Sequence, residues 1–141
     1  MRDESSALWL TGFLRFGAAV LLLAFGAVFL PVAWMSSSHA ALGLGSFPRS
    51  ALVDYLTRSI AALYAIKGGL YLVLSTDVVR YAPVIGYVAW STIGFGLLML
   101  CVDLHAGMPW YWTWSEGPIV TVVGLILLGL HRRLDAGTRR A

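Results

Sequence analysis

The chain is short of the residues on which soluble domains depend. Only 12% of its 141 residues are charged, about half of the ~25% usual for a soluble domain. One cysteine, Cys101, excludes an intrachain disulfide and any cysteine-built metal or iron–sulfur framework. A formal net charge of +3 gives no sign of a nucleic-acid partner. There is no HExxH, no glycine-rich phosphate loop, no Ser-His-Asp arrangement and no histidine pair suited to haem, so neither a cofactor nor a metal is expected. Internal repeats, low-complexity segments and flexible linkers are also missing.

What remains is apolar. Hydrophobic residues make up 59% of the chain, with 15 Gly and 6 Trp, and the mean hydropathy is +0.79. This composition predicts an all-α polytopic membrane protein forming one transmembrane domain over residues 1–141. Four apolar stretches read as helices, at about 8–35, 51–75, 83–102 and 112–131, in an up-down four-helix bundle. A cleavable signal peptide competes for the first stretch. Its apolar run exceeds the 7–15 residues of a signal h-region, and Asp3 and Glu4 spoil a basic n-region. Residues 34–50, rich in Ser and Gly, form a first loop in which the piece around His39–Leu44 is open to a short interfacial helix. Residues 76–82 form a tight turn with Asp77 and Arg80. Residues 103–116 form a second long loop, whose Trp110, Tyr111, Trp112 and Trp114 suit an interfacial aromatic belt or a lid over a cavity.

The positive-inside rule sets the orientation. Arg2, Arg15, Arg80, Arg132, Arg133, Arg139 and Arg140 fall on one side, against Arg49 and Arg58 on the other. Both termini are therefore expected in the cytoplasm, with both long loops outside. Short loops suit a bacterial inner membrane.

One stretch breaks the apolar rule. Residues 59–76, SIAALYAIKGGLYLVLST, are long enough to cross a bilayer and carry Lys67 in the middle. An ionisable residue at that depth is costly unless paired, hydrated or neutral, and so marks a functional site. At ~1.5 Å per residue Lys67 lies about 15 Å from the boundary at Asp77. Helical spacing groups Tyr64, Lys67, Tyr71 and Ser75, a phenol–ammonium–phenol stripe fit for a ligand cavity or a proton path. Asp54 and Arg58 are spaced to pair at i, i+4. With Ala61, Ala65 and Gly69 they mark a roughly opposite face of small residues that admits a neighbouring helix or a second copy of the chain. The plainer alternative is a lysine that snorkels or donates to neighbouring carbonyls.

Glu116 is the one carboxylate placed to balance Lys67 from another span. Counting back from Arg132 puts it about 24 Å above the inner boundary, and so about 9 Å from Lys67 along the normal. Its alternative role is at the N-terminus of the fourth helix, before Gly117-Pro118, where a carboxylate suits the dipole. Asp103, His105, His39 and Glu116 all lie toward the outer side, where acid–base work on a lipid is chemically open to them. Their spacing matches no metal-ligand motif. Tyr87, Trp90 and Ser91, with Thr121 and Gly124, are candidate walls of a cavity below Trp112. His131 reads as an inner-edge anchor.

Several short motifs resemble a set of uncharacterised small four-span bacterial membrane proteins. These are Leu42-Gly43-Leu44-Gly45, Phe47-Pro48, Tyr55-Leu56, Arg58-Ser59, Leu63-Tyr64-Ala65 and Arg80-Tyr81. Asp77, Pro83, Asp103, Gly107-Met108-Pro109-Trp110 and Glu116-Gly117-Pro118 complete the set, over about residues 30–130. The resemblance implies the architecture and no chemistry. From the residues themselves, the favoured function is a non-enzymatic binding or accessory subunit whose cavity presents Lys67 to an anionic or amphipathic ligand. Its partners would be membrane lipids and further copies or a larger complex, docked through Ala61, Ala65 and Gly69. The alternatives are an oligomeric minimal transporter or channel using Lys67 and Glu116, and a lipid-modifying enzyme using Asp103, His105 and Glu116.

Overall fold

A computed structural model describes residues 2–138; Arg139 and Arg140 lie outside them. Among the described residues the regular elements are six helices: α1 (Arg2–Val28), α2 (Val32–Ala41), α3 (Ala51–Leu74), α4 (Ala82–Ala106), α5 (Trp110–Ser115) and α6 (Gly117–Thr138). No strand occurs among the described residues.

The helix boundaries follow local chemistry and differ from expectation in three places: at the first helix, in residues 103–116, and in the first expected loop, where α2 takes Val32–Ala41 and the chain turns at Leu42 rather than running helical from His39 to Leu44. The first helix begins at Arg2, not Leu8, and stops at Val28 rather than near residue 35. Pro31 explains the stop, since its ring clashes with the carbonyl four residues back and it has no N–H to donate. The last turn loosens into Phe29 N–H and Leu30 N–H bonds to Gly26 and Ala27 carbonyls, at 3.2 and 3.3 Å. Pro31 then opens α2, its carbonyl accepting from Trp34 N–H at 2.9 Å. Ser50 caps α3, its hydroxyl accepting from Val53 N–H at 3.2 Å. Asp77 closes the turn after α3 by accepting from Arg80 N–H at 2.9 Å.

The second difference lies in residues 103–116. Here α4 runs on through Asp103 and His105 to Ala106 and ends at Gly107 in the left-handed conformation, φ 67°. Met108 N–H bonds back to the Asp103 carbonyl at 3.0 Å, the Schellman closure that glycine permits. Pro109 starts the short helix α5, so the aromatic run is helical and not an open loop. Glu116 joins α5 to α6, where Pro118 sits in the first turn and needs no N–H. The expected helix at 112–131 is thus divided at Glu116.

Contacts divide the chain into two compact units, Met1–Leu14 with Leu74–Ala141, and Arg15–Val73. In the first unit α4 and α6 run antiparallel. An added Cβ at Gly86 would meet the His131 ring, at Gly124 Ile93, and at Gly117 Leu100. The approach is tightest at Gly96, where a Cβ would lie 2.6 Å from Thr121 N and 2.7 Å from the Gly117 carbonyl oxygen. Small residues permit this backbone-to-backbone packing between apolar helices. In the second unit the later part of α1 and α3 also run antiparallel. The Tyr71 ring lies against Gly17, Gly68 against Ala18 and Leu22, and Arg58 against the Val28 carbonyl.

Among the described residues three segments are long and apolar enough to cross a membrane: Glu4–Val28, Ala82–Ala106 and Trp110–Gly137. The chain thus has the make-up of a helical membrane protein. Length and apolarity do not single out the fourth expected span. At 24 residues α3 is long enough, but Asp54, Arg58 and Lys67 lower its apolarity.

Candidate functional site

Lys67 lies on α3, half-buried, seven residues from the helix end at Leu74. Its Nζ stands 5.9 Å from the centroid of the Tyr71 ring, within the ~6 Å reach of a cation–π contact. Tyr71 is itself 3% exposed, its ring laid on the bare backbone of Gly17, 3.1 Å from where a Cβ would stand. Ser75 is buried and Tyr64 half-buried. In the two turns before Lys67, Ile60 and Leu63 are exposed, at 51% and 64%. Lys67 therefore occupies the seam between the packed face of α3 and its open apolar face.

That arrangement revises the two-faced reading of α3. Ala61 and Ala65 are buried at 7% each, and Tyr71 and Ser75 are buried with them, so the two expected faces adjoin rather than oppose. The point of close approach is Gly68, whose Cβ would lie 3.0 Å from Leu22 N, whereas Gly69 has open space around it. The reason is angular. At 100° per residue Gly68 falls between Ala61 and Ala65 on one side and Tyr71 on the other, and Gly69 falls outside that arc.

Arg58 does more than pair with Asp54. Its Nε donates to Asp54 Oδ1 and Oδ2 at 2.9 and 3.1 Å, as the spacing predicts. Its Nη1 also donates to the Val28 carbonyl, and its Nη2 to the Leu30 carbonyl at 3.2 Å. These carbonyls lie where Pro31 ends α1, so the guanidinium serves as a side-chain cap for a helix 30 residues away in sequence. The sequence signal was present in Pro31 and in a forked donor held by Asp54, but nothing local tied one to the other.

Glu116 is half-buried and accepts a 2.5 Å hydrogen bond from Trp112 Nε1. It belongs to the other compact unit from Lys67. Asp103 is 6% exposed, and its Oδ2 is buried without a hydrogen-bond partner. His105, in the last turn of α4, is exposed. His39 Nδ1 lies 3.2 Å from the Gly45 carbonyl oxygen and its ring meets Phe47 edge-on, which gives it a place in the loop after α2. Of the proposed cavity walls, Tyr87 and Trp90 are exposed at 73% and 57%. Thr121 and Gly124 are instead taken up in the α4–α6 contact. His131 packs on Gly86, and Arg132 stands 5.9 Å over the Trp90 ring. Among the described residues no group of three His, Cys, Asp or Glu side chains is placed to hold a metal.

Comparisons with protein-family models, with curated proteins and with solved structures found no match to the chain. Function must therefore be argued from the site.

Proposed function

We propose that the chain crosses the membrane four times and is a non-enzymatic binding or accessory protein, holding an anionic or amphipathic ligand at Lys67. The fourth crossing is α3. It pairs antiparallel with α1 from Tyr71 at Gly17 to Arg58 at Val28, about 20 Å of helix. A bilayer that contains this part of α1 contains its partner too. Arg80, ahead of α4, and Arg132 and Arg133, late in α6, lie at the same end of the antiparallel α4–α6 pair. Positive charge gathered there supports a cytoplasmic side for that end and for both termini, in a bacterial inner membrane.

The observation that carries the binding reading is the ammonium of Lys67 over the buried Tyr71 ring, beside the exposed Ile60 and Leu63. An ammonium carries three N–H donors, and an acidic or hydrogen-bond-accepting ligand arriving from the lipid side would accept from it, its apolar part lying along Ile60 and Leu63. Exchange between Lys67 and Glu116, and lipid modification by Asp103, His105 and Glu116, draw less support, because Trp112 engages Glu116 and His105 stands exposed.

The test is co-purification. Wild-type protein in mild detergent, analysed by native mass spectrometry, should retain an anionic or amphipathic ligand that Lys67→Met loses at unchanged helical content. Equal retention by both proteins would refute the reading.

A further inference from the structure

Arg132 has a setting that topology alone does not explain. The residue is exposed on α6, and its guanidinium stands 5.9 Å over the Trp90 ring. Trp90 lies eight residues beyond the start of α4 at Ala82, so the charge sits about 12 Å along that helix. Helical side chains lean toward their own N-terminus. Near the C-terminal end of α6 that direction leads into the apolar segment Trp110–Gly137 and not out toward water. Among the described residues no carboxylate pairs with Arg132, while a guanidinium carries five N–H donors in a planar fork.

The surface beside this cation is apolar and open. Leu97 follows Trp90 by seven residues on α4, and Leu125 precedes Arg132 by seven on α6, so each pair shares a helix face. The contact of Arg132 with Trp90 puts the two faces on one side of the antiparallel pair. Trp90, Leu97 and Leu125 are each more than half exposed, and Gly129 has open space where a Cβ would stand. The flank therefore has a charged end and an apolar strip about 10 Å long, running from it to the middle of both apolar segments.

We propose that this flank of α4 and α6 binds one anionic phospholipid. Its phosphate accepts from the Arg132 guanidinium, and an acyl chain lies over Trp90, Leu97 and Leu125. The planar fork matches two phosphate oxygens at once. Arg80, exposed at the same end of the helix pair, adds attraction for an anionic headgroup. A second copy of the chain is the poorer occupant, because a twofold pairing in one membrane sets Arg132 against Arg132 at a single depth. The site is separate from Lys67, which belongs to the other compact unit.

The experiment uses the full chain carrying Lys67→Met, so that a ligand at Lys67 does not enter the count. Detergent-solubilised protein is titrated with phosphatidylglycerol or with phosphatidylcholine of the same acyl chains, and read by native mass spectrometry. Phosphatidylglycerol should bind as one saturable adduct, about tenfold or more tighter than phosphatidylcholine. Arg132→Gln should weaken it about tenfold, as the loss of charge-assisted hydrogen bonds requires. Arg133→Gln removes the same charge one position on, away from Trp90, and should stay within about twofold of its parent. The proposal is overturned by equal affinity for the two lipids, by parental affinity in Arg132→Gln, or by equal losses in Arg132→Gln and Arg133→Gln. A lipid-free dimer that Trp90→Leu converts to monomer also overturns it and gives the face to a second copy. Should Arg132→Gln fail to fold, Arg132→Lys decides, since it keeps the charge and loses the fork. A loss of about threefold or more then supports the site, and parental affinity overturns it.

Discussion

At the scale of single residues, the glycines separate into those that packing requires and those it does not. Gly96 admits no Cβ without displacing the Thr121 amide nitrogen and the Gly117 carbonyl, and backbone atoms of a packed helix cannot give way as a side-chain end would. Gly96→Ala should therefore destabilise the protein by about 1–3 kcal/mol, the range for overpacking. Gly69, on α3, has open space around it. Gly69→Ala should be neutral or stabilise by up to about 1 kcal/mol, from helix propensity alone. Unfolding midpoints of the two variants in the same detergent check both. A Gly96→Ala protein as stable as wild type would mean that α4 and α6 do not meet at Gly96. Sequence alone presented 15 glycines with nothing to rank them, because close approach depends on which residue the partner helix sets opposite.

At the scale of elements, Arg58 joins the broken end of α1 to the start of α3. Removing its side chain strands the Val28 and Leu30 carbonyls, each an acceptor that Pro31 prevents the helix from satisfying. Arg58→Met should cost about 1–3 kcal/mol for the first unsatisfied carbonyl and should speed amide exchange over residues 26–35. Arg58→Lys should recover little of it, since an ammonium lacks the fork that reaches Asp54 and two carbonyls together. Full protection of residues 26–35 in Arg58→Met would show that the guanidinium is dispensable there. The pairing of Asp54 with Arg58 was legible as an i, i+4 spacing, and Pro31 as a helix breaker. Their connection was not, because it spans 30 residues and depends on α1 and α3 running antiparallel. The same limit explains the small-residue face. Ala61 and Ala65 stood out on a wheel, but choosing Gly68 over Gly69 required the position of Leu22.

For the whole molecule, the number of crossings is the question that composition and packing answer differently. Composition picks three segments and leaves out α3, since its charges weigh against the apolar run around them. Packing binds α3 to α1 along about 20 Å of helix, and the proposed fourth crossing rests on that. The apolar stretches were readable because a membrane helix announces itself by length and hydropathy. Lys67 was readable as the exception and Tyr71 as its neighbour four residues on, but the seating of the Tyr71 ring on Gly17 was not. The two counts predict different topologies. With four crossings both termini lie on one side, and residues 42–49 and Gly107 lie on the other. With three, the ends of the chain lie on opposite sides. Single cysteines at Gly45, Gly107, Asp77 and Arg133, introduced after Cys101→Ser, should separate the two in intact cells. A membrane-impermeant maleimide should label the first two positions and spare the last two until the membrane is opened. Labelling of Asp77→Cys in intact cells, with Gly45→Cys protected, would invert the orientation and keep the count. Labelling of Gly45→Cys and Asp77→Cys together would remove α3 from the bilayer and, with it, the lipid-side approach to Lys67.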